Sequence, residues 1–288
     1  MVKKSTVLMT GICIAAAALA VAVLSVPGFS GIAPAAGAPV DIVPHKALYE
    51  MRMISAESGS GIVGLDGTMY YEQDDACDAW TTDQRFTVEY QYPERAPLVN
   101  SSHYVSWETK EGGQFEFNSR RQENGQPAEL LRGSVVTNAE GEARAQYTRP
   151  ADLSYDLPEG YLLPVSHTQE LLRRARAGET LFNAVLFDGT DADGPVEMNA
   201  VIGRQLDAVE IETHAKNGKI DKSLLTSAWH FRIAVFPLKD ANSVLPAYEM
   251  DMVMHDNGIV SRSVVDYRTF RVEQSLVSLE KLPEKECP

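Results

Sequence analysis

The sequence predicts an all-β, mainly antiparallel protein built on one large curled or spiral sheet, barrel-like in form, with one or two helices packed against it. Two observations support this fold class. Apolar and polar residues alternate along many segments, as where Phe115 and Phe117 flank Glu116, and such alternation is typical of strands with one buried face. Turn dipeptides lie between several of these segments. Roughly a dozen strands exceed what a flat sheet tolerates, so the sheet should curl.

The N-terminal segment has the features of a signal peptide. Two lysines precede an apolar run over residues 7–26, and the stretch 33–35 (Ala-Pro-Ala) fits a cleavage site. We therefore predict a signal peptide over residues 1–35 and a single exported domain over residues 36–288, with no integral membrane segment after cleavage. The apolar run is also long enough to span a bilayer at about 20 residues, so an uncleaved anchor is the alternative.

The alternating segments predict strands that bury one face, and four dipeptides between them accept the positive φ of hairpin turns. These dipeptides are Asn124-Gly125, Glu140-Gly141, Asn217-Gly218 and Asn257-Gly258. A last strand is predicted over residues 269–279. The predicted apolar faces are, in chain order, Ala47, Tyr49, Met51 and Met53; Trp80, Phe86, Val88, Tyr90 and Tyr92; His103, Val105 and Trp107; Phe115 and Phe117; Trp229, Phe231, Ile233 and Val235; and Tyr248, Met250, Met252 and Met254.

One segment interrupts the alternation and predicts a helix over residues 167–177. Ser166 is a suitable N-cap, Glu170 places an acid in the first turn, and Gly178 is a suitable terminator. Three arginines near the end complement the helix dipole. The apolar stripe, which should pack against the sheet and cover it, consists of Leu171, Leu172 and Ala175.

Cys77 and Cys287 are the only cysteines after residue 35. Cys77 lies in an acidic turn between two predicted strands within residues 67–80. Export places both thiols in an oxidising compartment, where disulfides persist, so we predict an internal bond between them. A bond that closes a loop of roughly 210 residues stabilises by about 5 kcal/mol at most in the loop-entropy model. Two free thiols or an intermolecular bond are the alternatives.

The formal net charge of −14 excludes several classes of partner. Residues 36–288 are more negative still, because Lys3 and Lys4 are the only charged residues before them. Such a balance keeps a protein soluble and repels nucleic acid and anionic lipid surfaces. We therefore predict no nucleic-acid partner.

No motif predicts a catalytic residue, a metal site or a cofactor. The stretch 188–194 is acidic enough for a calcium loop, but Gly189 and Ala200 stand where an EF-hand needs Asp and Glu, so we interpret it as an acidic turn. The stretch 59–64 has dinucleotide-fingerprint spacing, but a strand pattern follows it instead of a helix. The six histidines are scattered singly, and Gly-x-Ser-x-Gly and Cys-x-x-Cys are absent.

Four stretches of the chain are together similar to one known family. They are 44–49 (Pro-His-Lys-Ala-Leu-Tyr), 61–67 (Gly-Ile-Val-Gly-Leu-Asp-Gly), 75–80 (Asp-Ala-Cys-Asp-Ala-Trp) and 182–190 (Phe-Asn-Ala-Val-Leu-Phe-Asp-Gly-Thr). They resemble the cell-envelope integrity protein B family of Gram-negative bacteria. The resemblance implies a periplasmic β-spiral, a disulfide between the positions matched by Cys77 and Cys287, a role in envelope integrity and stress resistance, and a loose likeness to periplasmic lipoprotein carriers. It supplies no active site.

Three functional hypotheses follow. The first is a non-enzymatic periplasmic protein that maintains envelope integrity by binding a lipid-like ligand or envelope partner in the concave face of its sheet. The second is a protein–protein scaffold that uses an exposed sheet edge and a periplasmic partner, with a tetratricopeptide-type protein implied weakly by the resemblance. The third is an unrecognised hydrolase. An apolar cavity under the helix would favour the first, a filled core with an apolar outer patch the second, and a cleft with convergent carboxylates and a histidine the third.

Overall fold

Fifteen strands form one hydrogen-bonded sheet within the residues described by a computed structural model, which are 40–138, 140–213, 218–240 and 243–287. The predicted signal peptide, residues 1–35, lies outside the described residues. In the described part of the chain, no helix is both long enough and apolar enough to cross a membrane.

The first eight strands form an antiparallel meander in which each strand pairs with the next. The alternation found in the sequence matches the burial of several of these strands, as on the fifth strand, where Phe115 and Phe117 are buried. The strands are β1 (His45–Ala56), β2 (Gly64–Asp75), β3 (Ala79–Gln91), β4 (Leu98–Thr109), β5 (Gln114–Glu123), β6 (Gln126–Thr137), β7 (Ala143–Arg149) and β8 (Ser154–Leu157).

The remaining strands except β11 form a second antiparallel run that joins the first where β1 pairs with the last strand. Two helices, α1 (Pro164–Arg176) and α2 (Ala208–Thr213), accompany this half. The strands are β9 (Leu181–Leu186), β10 (Val196–Gln205), β11 (Lys219–Ile220), β12 (Ala228–Pro237), β13 (Tyr248–His255), β14 (Val260–Asp266) and β15 (Phe270–Lys281).

The strand order is β8-β7-β6-β5-β4-β3-β2-β1-β15-β14-β13-β12-β10-β9, so the sheet has edges at β8 and β9 and does not close. The short β11 lies off this path and pairs with β15 in parallel. Strands β4 and β13 are far apart in this order, yet both line one cavity. The sheet must therefore curl, which confirms the predicted all-β, curled and barrel-like fold class.

Two of the predicted hairpin turns form as expected, and one does not. Hairpins form at Asn124-Gly125 and Asn257-Gly258, where both glycines have positive φ. The hairpin predicted at Asn217-Gly218 is wrong. Asn217 lies outside the described residues, and Gly218 leads into β11, which pairs in parallel with β15. A Cβ at Gly218 would overlap the Val277 carbonyl, so this glycine serves the close approach of two chain segments.

One predicted strand face is also wrong. On β4 the alternation of His103, Val105 and Trp107 predicts an apolar buried face, but His103 is exposed and the other two are only half-buried. The buried face carries Tyr104, Ser106 and Glu108. Polar groups can be buried where they find hydrogen-bond partners, and two of these residues find theirs outside the sheet, as described below.

Helix α1 forms where it is predicted but begins three residues earlier, at Pro164. Proline is well suited to the first helical position, because its missing N–H would have no intrahelical partner there. Glu170 consequently lies in the second turn, where it pairs with Arg173 and Arg174. The predicted stripe is buried in a core shared with β9, β10, β12 and β13; its members are Leu171, Leu172 and Ala175.

Candidate functional site

A cavity of about 380 Å³ lies between the sheet and the first turns of α1. Its volume falls within the range of about 300–1,000 Å³ that is typical of small-molecule sites. Strands β1–β4 and β13–β15 contribute to its wall, together with the segment before β1 and the loop after β9. The apolar part of the wall includes Ile42, Met69, Val165, Met250, Met252, Met254 and Val260.

The methionines of β13 line the cavity because of the period of the strand. Met250, Met252 and Met254 occupy alternate positions and therefore project to one side. Methionine side chains are unbranched and polarisable, so they adapt to ligands of different shape. Beside them, Gly258 at the β13–β14 turn lies against Ile42, where a Cβ would come within 2.8 Å of the Ile42 side chain. The glycine thus lets the segment before β1 reach the cavity wall.

A polar network lies on β2 and β3 along the same wall. The Gln73 side chain is buried, and its Oε1 accepts hydrogen bonds from the Tyr71 hydroxyl at 2.8 Å and from Thr82 Oγ1 at 3.2 Å. Its Nε2 donates to the Thr81 carbonyl. Burial raises the pKa of Tyr71, so the phenol stays protonated and remains a donor. The network fixes this part of the wall as an uncharged polar surface.

His45 lines the cavity next to this network. Its Nδ1 lies 2.7 Å from the Val43 carbonyl oxygen, which can only accept, so Nδ1 carries the proton. Burial lowers the pKa of His45, which keeps the ring neutral. His45 is the one histidine and Asp188 the one carboxylate among the lining residues that the structure describes. The described residues of the wall therefore do not include the convergent carboxylates that the hydrolase hypothesis requires.

The N-terminus of α1 is held by a buried carboxylate from the sheet. Glu108 on β4 accepts the backbone N–H groups of Val165 and Ser166, each at 2.8 Å. These donors have no intrahelical partner, and a carboxylate there also complements the positive end of the helix dipole. Burial raises the pKa of Glu108, while the two N–H donors act in the opposite direction. This contact explains why Glu108 is buried on β4, and it positions the helix over the cavity.

The acidic loop over residues 187–194 is held by three tyrosines of the meander. Hydroxyl groups of Tyr104, Tyr147 and Tyr155 donate to backbone carbonyls of this loop at 2.6–2.8 Å. Phe187 anchors the loop in a cluster of aromatic rings from β5 and β7. These contacts place Asp188 at the cavity wall.

The carboxylates of this loop form hydrogen bonds or ion pairs with nearby protein groups. Asp188 Oδ1 accepts from the N–H and hydroxyl of Thr190, Asp191 accepts from the N–H of Asp193, and Asp193 pairs with Lys239. Within the described residues, no group of three or more His, Cys, Asp or Glu side chains is placed to hold a metal ion.

Cys77 and Cys287 are joined by a disulfide whose Cα atoms lie 5.6 Å apart, within the normal range. Cys77 lies in the turn between β2 and β3 with a positive φ, and its N–H donates to Asp75. Lys285 pairs with Asp74 close by. The bond therefore ties the segment after β15 to the end of the hairpin that carries Gln73.

Three polar residues that shape this site were not predicted from the sequence. Glu108 lay opposite the face predicted to be buried, Asp188 was interpreted as part of an acidic turn, and Gln73 was not singled out. No local pattern could have identified Glu108, because its helix partners lie 57 and 58 residues away.

Comparisons with known proteins agree with one another. A model of the family described as EipB-like matches residues 36–283. The cell envelope integrity protein EipB of Brucella abortus (strain 2308) is 32% identical over 269 residues, which cover 93% of this chain and 94% of that protein. A crystal structure of a beta-barrel-like protein of a domain of unknown function, also from Brucella abortus, is similar with a TM-score of 0.77 and 29% identity, covering 85% of this chain and 100% of that chain.

Proposed function

The chain belongs to the EipB-like family, and from that premise we propose that it is a non-enzymatic periplasmic protein that maintains cell-envelope integrity by holding a lipid-like ligand in the cavity under α1. The name of the Brucella abortus relative supports the envelope role. The cavity supports the ligand, because the sheet and the helix leave open space between largely apolar walls instead of filling it.

The alternative scaffold function would use backbone groups at a sheet edge. Strand β8 has four residues, and the β9 edge is bridged by Leu162, which exchanges backbone hydrogen bonds with Val185 and Phe187. Short or covered edges offer little backbone for strand addition. The cavity therefore outweighs the edges as the functional feature, and the scaffold becomes the competing outcome of the following test.

The test fills the cavity without disturbing the sheet. Met250 lines the cavity and is only half-buried, so the ring of a Met250→Trp variant should occupy the open space. Val201→Trp is the matched control, because Val201 is exposed on β10, in the same run of strands, and does not line the cavity. Binding is measured with N-phenylnaphthylamine, a neutral fluorescent probe of apolar sites. We expect wild type and Val201→Trp to bind the probe, and Met250→Trp to lose binding with an unchanged melting temperature.

The same variants test the role in cells. In a strain that lacks the gene, wild type and Val201→Trp should restore resistance to detergents and cell-wall antibiotics, whereas Met250→Trp should not. Full restoration by a folded Met250→Trp protein that binds no probe would refute the ligand function and favour the scaffold.

A further inference from the structure

The described wall of the cavity has an acidic side chain but no basic one to balance it. Neither lysine nor arginine occurs among the described residues that line it, and His45 is neutral. Its one acidic side chain is Asp188. An anionic group that entered would lose water and find no opposite charge. Burial raises the pKa of Asp188, while the hydrogen bonds from Thr190 act in the opposite direction, and the side chain repels an anion when it is ionised.

The N-terminus of α1, which could bind an anion in place of a basic residue, is also occupied. A helix N-terminus commonly binds anions through its free N–H groups, and Pro164, Val165 and Thr168 bring the N-terminus of α1 to the cavity. Proline has no N–H, and the N–H groups of Val165 and Ser166 already donate to Glu108. The protein's own carboxylate thus occupies the position that an anionic head group would take.

Uncharged polar groups complete the wall. The Gln84 amide donates to Met69 Sδ at 3.1 Å, and Gln274 Oε1 accepts from the Ser263 hydroxyl at 2.9 Å. Within the described residues, these bonds leave the Gln84 carbonyl oxygen and the Gln274 NH₂ group for a ligand. One accepts and the other donates, which suits a hydroxyl, ester or amide.

We propose that the cavity selects alkyl or acyl amphiphiles whose polar group is neutral or cationic and discriminates against anionic ones such as free fatty acids. This inference rests on the proposed function, since it names the class of lipid-like ligand. Asp188 contributes to the discrimination through its charge, and Glu108 contributes by closing the helix N-terminus.

The test is displacement of N-phenylnaphthylamine from the full exported chain by three probes of equal chain length, namely decanol, decanoate and decyltrimethylammonium. All three are used below their micelle concentrations and at mildly alkaline pH, where carboxyl groups are ionised. We expect decanol and decyltrimethylammonium to compete well and decanoate to compete about tenfold more weakly or worse, a margin that one unpaired charge in a partly buried site readily exceeds.

The matched variants are Asp188→Asn and Asp193→Asn. Asparagine at 188 keeps the side-chain oxygen that Thr190 bonds, so the loop should stay in place. Asp193 belongs to the same loop but is exposed, pairs with Lys239 and does not line the cavity. In Asp188→Asn the preference for decanol and decyltrimethylammonium over decanoate should fall several-fold, whereas Asp193→Asn should behave as wild type.

The outcomes separate the two proposals. Displacement by none of the three probes would refute the lipid-like ligand itself. Displacement by decanoate as strong as by decanol would leave that function standing and overturn the charge selection. Equal selectivity in Asp188→Asn and wild type would overturn the role given to Asp188.

Discussion

The contact between Glu108 and α1 allows the sharpest prediction about stability. A Glu108→Ala variant loses two hydrogen bonds to a carboxylate, each worth about 1.5–3 kcal/mol, and leaves the N–H groups of Val165 and Ser166 buried without that acceptor. Part of this loss is offset, because burying the carboxylate is itself unfavourable. We expect a net loss of about 3 kcal/mol, or a melting temperature lower by about 6–12 °C for a domain of this size.

Glu108→Gln separates hydrogen bonding from charge. The two carboxylate oxygens of Glu108 each accept one N–H group, so the single amide oxygen of Gln can keep only one of the two hydrogen bonds. The amide carries no charge to desolvate, which offsets part of that loss, so we expect a cost of about 1–2 kcal/mol at neutral pH, smaller than that of Glu108→Ala. The exposed Glu116 on the neighbouring β5 provides the control, since Glu116→Ala should change stability by less than about 0.5 kcal/mol.

The pH dependence of the difference between wild type and Glu108→Gln follows from the raised pKa of Glu108. Because the folded state binds this proton more tightly than the unfolded state, the contribution of Glu108 is greatest below its ordinary pKa of 4.5 and is lost as the pH rises through the folded value. Wild type should therefore gain stability relative to Glu108→Gln as the solution is acidified. Chemical unfolding across pH measures this directly. An unchanged melting temperature in Glu108→Ala, or a gap of the opposite pH sign, would refute the assigned contact.

Three further predictions concern the rest of the chain. Leu172→Asp should lower the stability by several kcal/mol, because Leu172 is fully buried under the sheet and the new charge has no partner; an unchanged melting temperature would show that this helix face is exposed. Serine at Cys77, at Cys287 or at both should cost about 2–5 kcal/mol in each case, and the denatured, unreduced protein should show no free thiol, whereas two titratable thiols would contradict the bond. The exported protein should begin at Ala36 in intact-mass analysis, and an intact Met1 in the membrane fraction would support the anchor.

The fold was predictable from the sequence because strand period and turn chemistry are local. The alternation on β12 and β13 and the Asn257-Gly258 turn each required only a few adjacent residues to be interpreted. The start of α1 was misplaced because Ser166 resembles an N-cap, although Pro164 already begins the helix. Ser166 occupies the third helical position, where its Oγ accepts a hydrogen bond from the N–H of Leu163.

The site was predictable only in outline. A cavity under a helix was one of the alternatives, but its chemistry depends on contacts between distant parts of the chain, such as Glu108 with α1 and Tyr104 with the loop after β9. Hydrophobic alternation gives the wrong buried face on β4 for the same reason. The polar residues on that face are buried because their hydrogen-bond partners lie far away in the sequence.

Native mass spectrometry of the protein purified gently from cells tests whether the cavity holds a lipid-like molecule. We expect a noncovalent adduct on the wild-type chain that is released on denaturation, is identified as a neutral or cationic amphiphile, and is absent from Met250→Trp. The bare polypeptide mass in both proteins, or an adduct that persists when the cavity is filled, would contradict it.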